Sequence, residues 1–293
     1  MPKKSSSGLP VALIQMAMSP DPKKNLPAAV DRITAAAKQG AQLVCLPELF
    51  RSLYFCQKED YRCFDLAEPI PGPTTDLLAK TAKKLKITLV SSHFEQRTGG
   101  LYHNTAVVFG PDGSILGTYR KMHIPDDPGF SEKFYFAPGD TGFLPIQTPV
   151  GKLGVLVCWD QWYPEAARLM ALRGAQILIY PTAIGLARTE PRELHKVQCS
   201  AWQTMQRSHA IANGVFVLSI NRTGREDNLD FWGTSFVSDP FGEVLAQASP
   251  NRPETIRAHL DLDEIRTTRQ HWPFLRDRRV DAYQGLDQRF LTP

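Results

Sequence analysis

The stretch from Leu153 to Tyr180 reads LGVLVCWDQWYPEAARLMALRGAQILIY and contains a complete strand–helix–strand unit. Its first run, Leu153–Cys158, is apolar and rich in Val and Leu, which is typical of a buried β-strand. A proline and a glycine bracket Ala166–Arg173, and these are start and stop signals of a helix. A second apolar run, Gln176–Tyr180, predicts the next strand. Such a unit predicts an α/β fold.

Apolar runs and helical segments alternate along the chain on both sides of this unit. We predict further strands at Val11–Met16, Gln42–Leu46, Ile87–Ser91, Thr105–Phe109 and Val215–Ile220. We predict further helices at Leu26–Gln39 and Arg192–Ala212, where apolar side chains recur at helical spacing. Several strands are apolar throughout, which indicates sheets that are covered on both faces.

Two hairpins interrupt this alternation. The first joins Thr105–Phe109 to Ile115–Tyr119 through an Asp-Gly turn. The second joins Trp232–Val237 to Glu243–Ala246 through a Pro-Phe-Gly turn. Because the strands of a hairpin pair antiparallel, we expect mixed sheets.

The chain is long enough for one large α/β domain at 293 residues. No compositional break, long linker or internal repeat divides it, so we expect a single domain over residues 9–280. We also expect a flexible tail at residues 1–8 and a C-terminal arm at residues 281–293 that packs on a neighbouring subunit.

Composition and charge narrow the class of protein. The net charge is only +4 and the basic residues are scattered, which argues against a nucleic-acid surface. No apolar run approaches the roughly 18 residues that cross a membrane, and the polar start lacks the core of a signal peptide. The five cysteines are an odd number without a CxxC pair, so we expect free thiols in the cytoplasm. Their spacing does not suit zinc, and we expect no metal and no cofactor.

Three reactive side chains occur where predicted strands end. Glu48 follows an apolar strand, Lys121 follows the second strand of the first hairpin, and Cys158 closes the strand of the opening unit. Ligands of open α/β sheets bind beyond strand carboxyl ends, so these residues can converge. Taken singly, each has an ordinary interpretation: a small buried thiol, a loop carboxylate and a surface cation.

The residues after Cys158 favour a nucleophile. A polar turn that opens a helix follows directly, and the geometry resembles a nucleophile elbow. The positive helix terminus would favour the thiolate. The backbone N–H of Trp159 would stabilise an oxyanion.

Three segments resemble the ordered motifs of the nitrilase superfamily, the carbon–nitrogen hydrolases with a Glu–Lys–Cys triad. They are Leu46–Phe50 (LPELF), Tyr119–Pro125 (YRKMHIP) and Val157–Asp160 (VCWD). The resemblance runs from about Val11 to about Leu262. It implies a four-layer α-β-β-α sandwich with mixed sheets that forms dimers or larger homo-oligomers.

The resemblance also implies a role for each member of the triad. Glu48 would take the proton of the Cys158 thiol and hand it to the leaving nitrogen. Lys121 would favour the thiolate and then the oxyanion. Glu132 stands where the family often has a second glutamate that positions the lysine or the substrate, although it could equally be a surface acid beside Lys133.

Longer strings look like the N-carbamoylputrescine amidases within this superfamily. They are Cys158–Arg168, His123–Phe130 and Tyr180–Gly185. The likeness implies hydrolysis of a small ureido amine to ammonia, carbon dioxide and a free diamine, with no nucleic acid or membrane as partner. One departure is the insertion of Leu186–Thr189 before a Glu-Pro pair, which adds the cation of Arg188. A carbamoyl amino acid such as N-carbamoyl-β-alanine, or an ω-amide, therefore stays an alternative substrate.

A ureido amine ends in a methylene chain with an ammonium group, which calls for an aromatic slot closed by a carboxylate. Candidate walls are Tyr54, Phe130, Trp159 and Trp162, although core packing explains Trp162 equally well. Candidate acids are Asp126, Asp127 and Glu190.

Two readings from other classes compete with the hydrolase. The chain could be a non-enzymatic scaffold, against which the complete triad argues. Cys158 could be a redox-sensing thiol, but that leaves Glu48 and Lys121 unexplained.

Overall fold

The computed structural model describes residues 8–291, apart from the side chain of Arg192. The tail predicted at residues 1–8 lies outside the described residues except for Gly8, as do the last two residues of the predicted arm. None of the helices within the described range is long and apolar enough to cross a membrane.

The helices and strands follow one another in a mixed order along the chain. The strands are β1 (Leu9–Gln15), β2 (Leu43–Cys45), β3 (Thr88–Thr98), β4 (Leu101–Phe109), β5 (Ile115–Arg120), β6 (Asp126–Asp127), β7 (Phe130–Ser131), β8 (Ile146–Thr148), β9 (Gly151–Val155), β10 (Ile177–Thr182), β11 (Gly185–Ala187), β12 (Phe216–Asn221), β13 (Thr223–Glu226), β14 (Leu229–Trp232), β15 (Phe236–Ser238), β16 (Val244–Gln247) and β17 (Glu254–Leu260). The helices are α1 (Pro22–Lys38), α2 (Pro73–Leu85), α3 (Pro164–Leu172), α4 (Arg192–Asn213) and α5 (Asp263–His271).

Two six-stranded sheets form the centre of the molecule. Their strand orders are β17-β1-β2-β3-β4-β5 and β16-β15-β12-β10-β9-β8. Parallel pairs such as β1–β2 and β10–β12 stand beside antiparallel pairs such as β4–β5 and β15–β16. The mixed sheets and the first predicted hairpin are thereby confirmed. The second hairpin forms between β15 and β16, but its first predicted strand, Trp232–Val237, is wrong as a single strand: Trp232 ends β14 in a separate three-stranded sheet, β11-β14-β13, and only Phe236 and Val237 belong to β15.

The sheets are buried on both faces, as the strand β1 illustrates. Val11 and Leu13 belong to the core between the sheets, which also contains Val155 and Ile179 of the second sheet. The intervening Ala12 and Ile14 belong to a separate core beneath α1 and α2. The helices α3 and α4 lie against the second sheet. Successive side chains point to opposite faces of a strand, so this pattern gives four layers and confirms the α-β-β-α sandwich.

Local signals explain where some elements begin and end differently from the sequence prediction. Helix α1 starts at Pro22 and not at Leu26, because the Asp21 carboxylate caps it by accepting from the Lys23 N–H. The strand predicted to reach Cys158 ends at Val155, although the Leu156 N–H still bonds the second sheet.

Candidate active site

Cys158 lies at a strained turn between the second sheet and α3. It opens a short 3₁₀ turn, Cys158–Trp162, with a φ of 44° that non-glycine residues rarely adopt. The residue is only 6% exposed, and its Sγ lies 3.8 Å from the Ala183 carbonyl oxygen. Helix α3 begins only at Pro164, so the 3₁₀ turn and not the helix follows the thiol directly.

A buried ammonium group joins two carboxylates beside this thiol. Lys121 Nζ lies 2.9 Å from Glu48 Oε1 and 2.6 Å from Glu132 Oε2. The three side chains are fully buried. The structure therefore brings Glu132 into the cluster and does not leave it as a surface acid beside Lys133.

The two oxygens of Glu48 have different surroundings. Oε1 accepts from Lys121 and from Asn104 Nδ2, which lies 2.7 Å away. Oε2 is buried and has no hydrogen-bond partner among the described residues. A carboxylate oxygen with unused lone pairs can accept a proton from a nearby thiol or water.

Burial and mutual charge shift the pKa values of the cluster. Burial raises the pKa of Cys158 well above its usual value, and the Glu48 charge raises it further while the Lys121 charge opposes both. Burial alone would lower the pKa of Lys121, but Glu132 and Glu48 raise it, so the ammonium stays charged. Burial raises the pKa of Glu132 to about 7, despite the opposing Lys121 charge. The free thiol is thus mostly protonated at neutral pH and needs a base before it can attack.

Asp160 connects the turn that begins at Cys158 to the end of β5, which Lys121 follows. Its Oδ2 accepts from the Val157 N–H at 2.9 Å and from the Tyr119 hydroxyl at 2.8 Å. Its Oδ1 accepts from the His123 N–H at 3.0 Å and lies 2.6 Å from His123 Nδ1. The His123 ring stacks on Tyr163 with centroids 3.8 Å apart, which accounts for this histidine as a packing and hydrogen-bonding residue.

A cavity of about 650 Å³ opens beside Cys158. Of the predicted substrate-binding residues, Asp127, Phe130, Trp159 and Glu190 line it, as does Trp162. Glu190 Oε2 lies 3.2 Å from the Ala187 nitrogen, which donates to it. Asp127 and Glu190 are the charged side chains among the described lining residues, so the cavity wall carries two carboxylates and no cation.

Three other predicted residues lie outside this wall. Tyr54 is fully buried behind the cavity, and its hydroxyl donates to Glu132 Oε1 at 2.7 Å. Asp126 is exposed at the edge of the small β6–β7 ribbon. Arg188 is exposed, and its N–H donates to the Asn228 carbonyl at 2.8 Å. Tyr54 therefore supports the buried Glu48–Lys121–Glu132 cluster, and neither Asp126 nor Arg188 reaches the cavity wall in this structure.

Sequence reasoning did not single out several polar residues around the cluster. Asn104 holds Glu48, Asp160 connects two segments of the site, and Arg222 and Glu226 lie beneath the Glu48 loop. Arg222 stands directly after the buried strand β12, a strand-end position like those of the triad, and Asp160 stands two residues after Cys158. Asn104 lies inside a strand and carries no local signal. No group of three or more His, Cys, Asp or Glu side chains in residues 8–291 could hold a metal ion.

A buried thiol with a paired lysine and two glutamates on a four-layer sandwich defines a carbon–nitrogen hydrolase. The carbon-nitrogen hydrolase family model matches residues 10–270, and the chain belongs to this family.

Relatives of known activity cover nearly the whole chain. An N-carbamoylputrescine amidase of Arabidopsis thaliana is 42% identical over 285 residues, which are 94% of each protein. A citrullinase of Francisella tularensis is 40% identical over 97% of this chain and 100% of its own. The omega-amidase NIT2 of Homo sapiens is 36% identical over 93% of this chain and 96% of its own. The chain is thus an amide-hydrolysing enzyme whose relatives differ in substrate.

Solved structures share the fold. A carbon-nitrogen hydrolase from Helicobacter pylori G27 superposes with a TM-score of 0.94 at 48% identity, covering 97% of this chain and 99% of that one. An amidase from Nesterenkonia sp. AN1 superposes with a TM-score of 0.77 at 26% identity, covering 96% and 98%. That amidase carries a Glu-to-Gln substitution and shows covalent addition of the acetamide moiety of fluoroacetamide at its active-site cysteine.

Proposed function

We propose that the protein hydrolyses N-carbamoylputrescine to putrescine, ammonia and carbon dioxide through a thioester on Cys158. The observation that carries the substrate is the charge of the cavity: Asp127 and Glu190 line it, and no described lining residue is a cation. A buried ammonium without a carboxylate partner costs several kcal/mol, so a site for an amine must supply one.

The chemistry requires one proton shuttle and one oxyanion site. Glu48 Oε2 takes the thiol proton as Cys158 Sγ attacks the ureido carbon, and the Lys121 ammonium and the Trp159 N–H stabilise the oxyanion. Glu48 returns the proton to the departing nitrogen, the C–N bond breaks, and the first nitrogen product, ammonia or putrescine, leaves. Glu48 then activates a water that cleaves the thioester and returns a proton to the Cys158 sulfur, and the carbamic acid formed decomposes to carbon dioxide and the other nitrogen product.

Citrulline is the most informative competitor, because it is N-carbamoylputrescine with one carboxylate added at the carbon that bears the ammonium group. The relatives of this chain include amidases for N-carbamoylputrescine and a citrullinase. Acids in the cavity wall would attract the shared ammonium and repel the additional carboxylate, which gives discrimination by repulsion as well as attraction.

A ureido acid or an ω-amide is the second candidate substrate. The observation that favours it is Arg188, which lies in the chain between two cavity-lining residues, Ala187 and Thr189. A changed rotamer of this long, exposed side chain would bring a cation to the cavity mouth.

A substrate panel tests the proposal. We expect kcat/KM for N-carbamoylputrescine to exceed those for citrulline, N-carbamoyl-β-alanine and an ω-amide by at least about tenfold, the effect of roughly 1.4 kcal/mol. Glu190→Gln and Asp127→Asn should each narrow the gap, and Arg188→Ala should not. A preference for citrulline or N-carbamoyl-β-alanine that disappears in Arg188→Ala would overturn the proposal and support the second candidate.

A further inference from the structure

A buried ion pair lies beneath the loop that carries Glu48. Arg222 stands between β12 and β13, and its Nη1 donates to Glu226 Oε1 and Oε2 at 3.0 and 2.8 Å. Both side chains are buried. Neither residue lines the substrate cavity, so the pair does not contact the substrate directly.

Arg222 also hydrogen-bonds the main chain at Glu48, the residue proposed as the base. Its Nη2 donates to the carbonyl oxygens of Glu48, at 2.7 Å, and of Leu49, at 3.0 Å. Leu49 has a φ of 47°, a left-handed conformation that costs a non-glycine residue roughly 1–2 kcal/mol. The Leu49 N–H donates to Ser92 Oγ at 3.2 Å, so hydrogen bonds on both sides of the strained residue hold it.

The glutamate of the pair reaches the second carboxylate of the site. Glu226 Oε2 accepts from the Tyr54 N–H at 2.5 Å, and the Tyr54 hydroxyl donates to Glu132 Oε1. The guanidinium carbon of Arg222 lies 5.8 Å from the centre of the Tyr54 ring and 5.3 Å from that of Phe231. One ion pair thus touches both ends of the segment from Glu48 to Tyr54.

A contribution to folding stability does not by itself explain why this ion pair is buried. Removing two charges from water costs several kcal/mol for each ion, and apolar replacements of buried ion pairs are often neutral or stabilising. The hydrogen bonds of this pair, however, converge on the residue that carries the base and on the residue that supports Glu132.

We propose that Arg222 is a positioning residue that sets the direction of the Glu48 carboxylate and, through Glu226 and Tyr54, that of Glu132. The inference rests on the base role given to Glu48 under the proposed function, but it is independent of the substrate. Misplacement of a catalytic group by about 1 Å can cost about 100-fold in rate.

Arg222→Lys in the full-length protein is the main test. A lysine keeps the buried charge but cannot reach the Glu226 carboxylate and two carbonyls in the same fork geometry. We expect kcat to fall about 100-fold with KM within about twofold, because the cavity wall is untouched. We also expect a shifted pH profile of Cys158 alkylation by iodoacetamide, since the Glu48 charge moves relative to the thiol.

Arg269→Lys is the matched control. Arg269 also donates to a main-chain carbonyl, that of Asn213 at the end of α4, at 3.1 Å. It lies on α5, away from the site. Its replacement should lower thermal stability without changing kcat or the alkylation profile. If Arg222→Lys does not fold, Tyr54→Phe tests the second arm alone: it should lower kcat without changing KM.

Two results would overturn the inference. One is a folded Arg222→Lys protein with kcat within twofold of wild type, and the other is an unchanged kcat in Tyr54→Phe when Arg222→Lys does not fold. A wrong substrate assignment is distinguishable, because the same comparison is made with whichever amide of the panel the wild type hydrolyses, and the alkylation profile needs no substrate.

Discussion

In the buried cluster of Glu48, Lys121 and Glu132, the hydrogen bonds made by individual oxygens distinguish the two glutamates. Glu132 uses both oxygens to hold Tyr54 and Lys121, whereas Glu48 keeps Oε2 without a partner among the described residues. Glu48, which we assign as the base, thus has one oxygen available to accept a proton. Both oxygens of Glu132 already accept hydrogen bonds, so we assign Glu132 to holding the Lys121 ammonium.

Cys158→Ala should abolish turnover and leave the fold intact. The substitution removes one small sulfur from a turn whose backbone is held by Asp160 through the Val157 N–H. Turnover by mass spectrometry and thermal unfolding on the same sample provide the measurement. Substantial hydrolysis by a folded variant would rule out Cys158 as the nucleophile, as would an acyl group trapped on Cys45 or Cys199 in the wild type.

Glu48→Gln should change activity and thiol reactivity in opposite directions. The amide cannot accept a proton, so kcat should fall by about 100-fold or more. The Glu48 charge raises the pKa of Cys158, so its removal should lower that pKa and speed alkylation by iodoacetamide at pH 7.

In the wild type the alkylation rate should rise about tenfold per pH unit from 7 to 9, because the thiol pKa lies above this range. A plateau below pH 8 in the wild type would contradict the assignment.

Lys121→Arg should lower kcat although it keeps the charge. The ammonium lies between Glu48 Oε1 and Glu132 Oε2 at distances of 2.9 and 2.6 Å, and a planar guanidinium does not fit this fully buried space. Lys152→Arg, at a half-buried lysine whose amine donates to the Arg173 carbonyl, is the control. Wild-type kcat in a folded Lys121→Arg protein would require another oxyanion donor.

At the scale of elements, the site depends on how the turn after β9 meets the end of β5. Asp160→Asn should loosen this junction, because an amide cannot accept all four of the hydrogen bonds that the carboxylate takes from Val157, Tyr119 and His123. We expect a thermal midpoint lower by several degrees and a kcat lower by at least about tenfold. Ser114→Ala, on the distant β4–β5 turn, should change neither. A variant with unchanged kcat would show that the turn holds its geometry without Asp160.

The elements that the sequence predicts are those with a local cause. The apolar runs of β1, β10 and β12 arise from burial on both faces. Glu48 and Cys158 follow buried strand ends of this kind, those of β2 and β9, whereas Lys121 follows the half-buried edge strand β5. Strand β17 was not predicted, because it pairs with β1 from the far end of the chain, with Ile256 opposite Leu13. Asn104 reaches Glu48 only through the register of β3 and β4, which no local pattern specifies.

At the scale of the molecule, the last part of the described chain exposes many apolar side chains. Phe241, Trp272 and Phe274 form a ring cluster at the surface, with Trp272 54% exposed, and Phe290 is 78% exposed. We propose that this region, including the described part of the arm predicted at residues 281–293, contacts a second subunit.

The oligomer prediction is a dimer or larger assembly by light scattering at micromolar concentration. Trp272→Ser with Phe290→Ser should shift the population towards monomer, since each removes exposed apolar area from the contact. Leu144→Ser, at an exposed leucine elsewhere, should not. A wild-type mass equal to one chain would refute the prediction.

The residues to which we assign the chemistry fall on two sides of one exposed residue in the chain. Glu48, Lys121 and Glu132 precede the exposed Leu144, and Cys158 follows it, so a cut at that leucine yields one piece with the base and another with the sulfur. The second piece also retains β17, whose seven residues pair with β1 of the first. The protein is therefore a candidate for a split reporter, in which amide hydrolysis reports that two separately expressed fragments have associated.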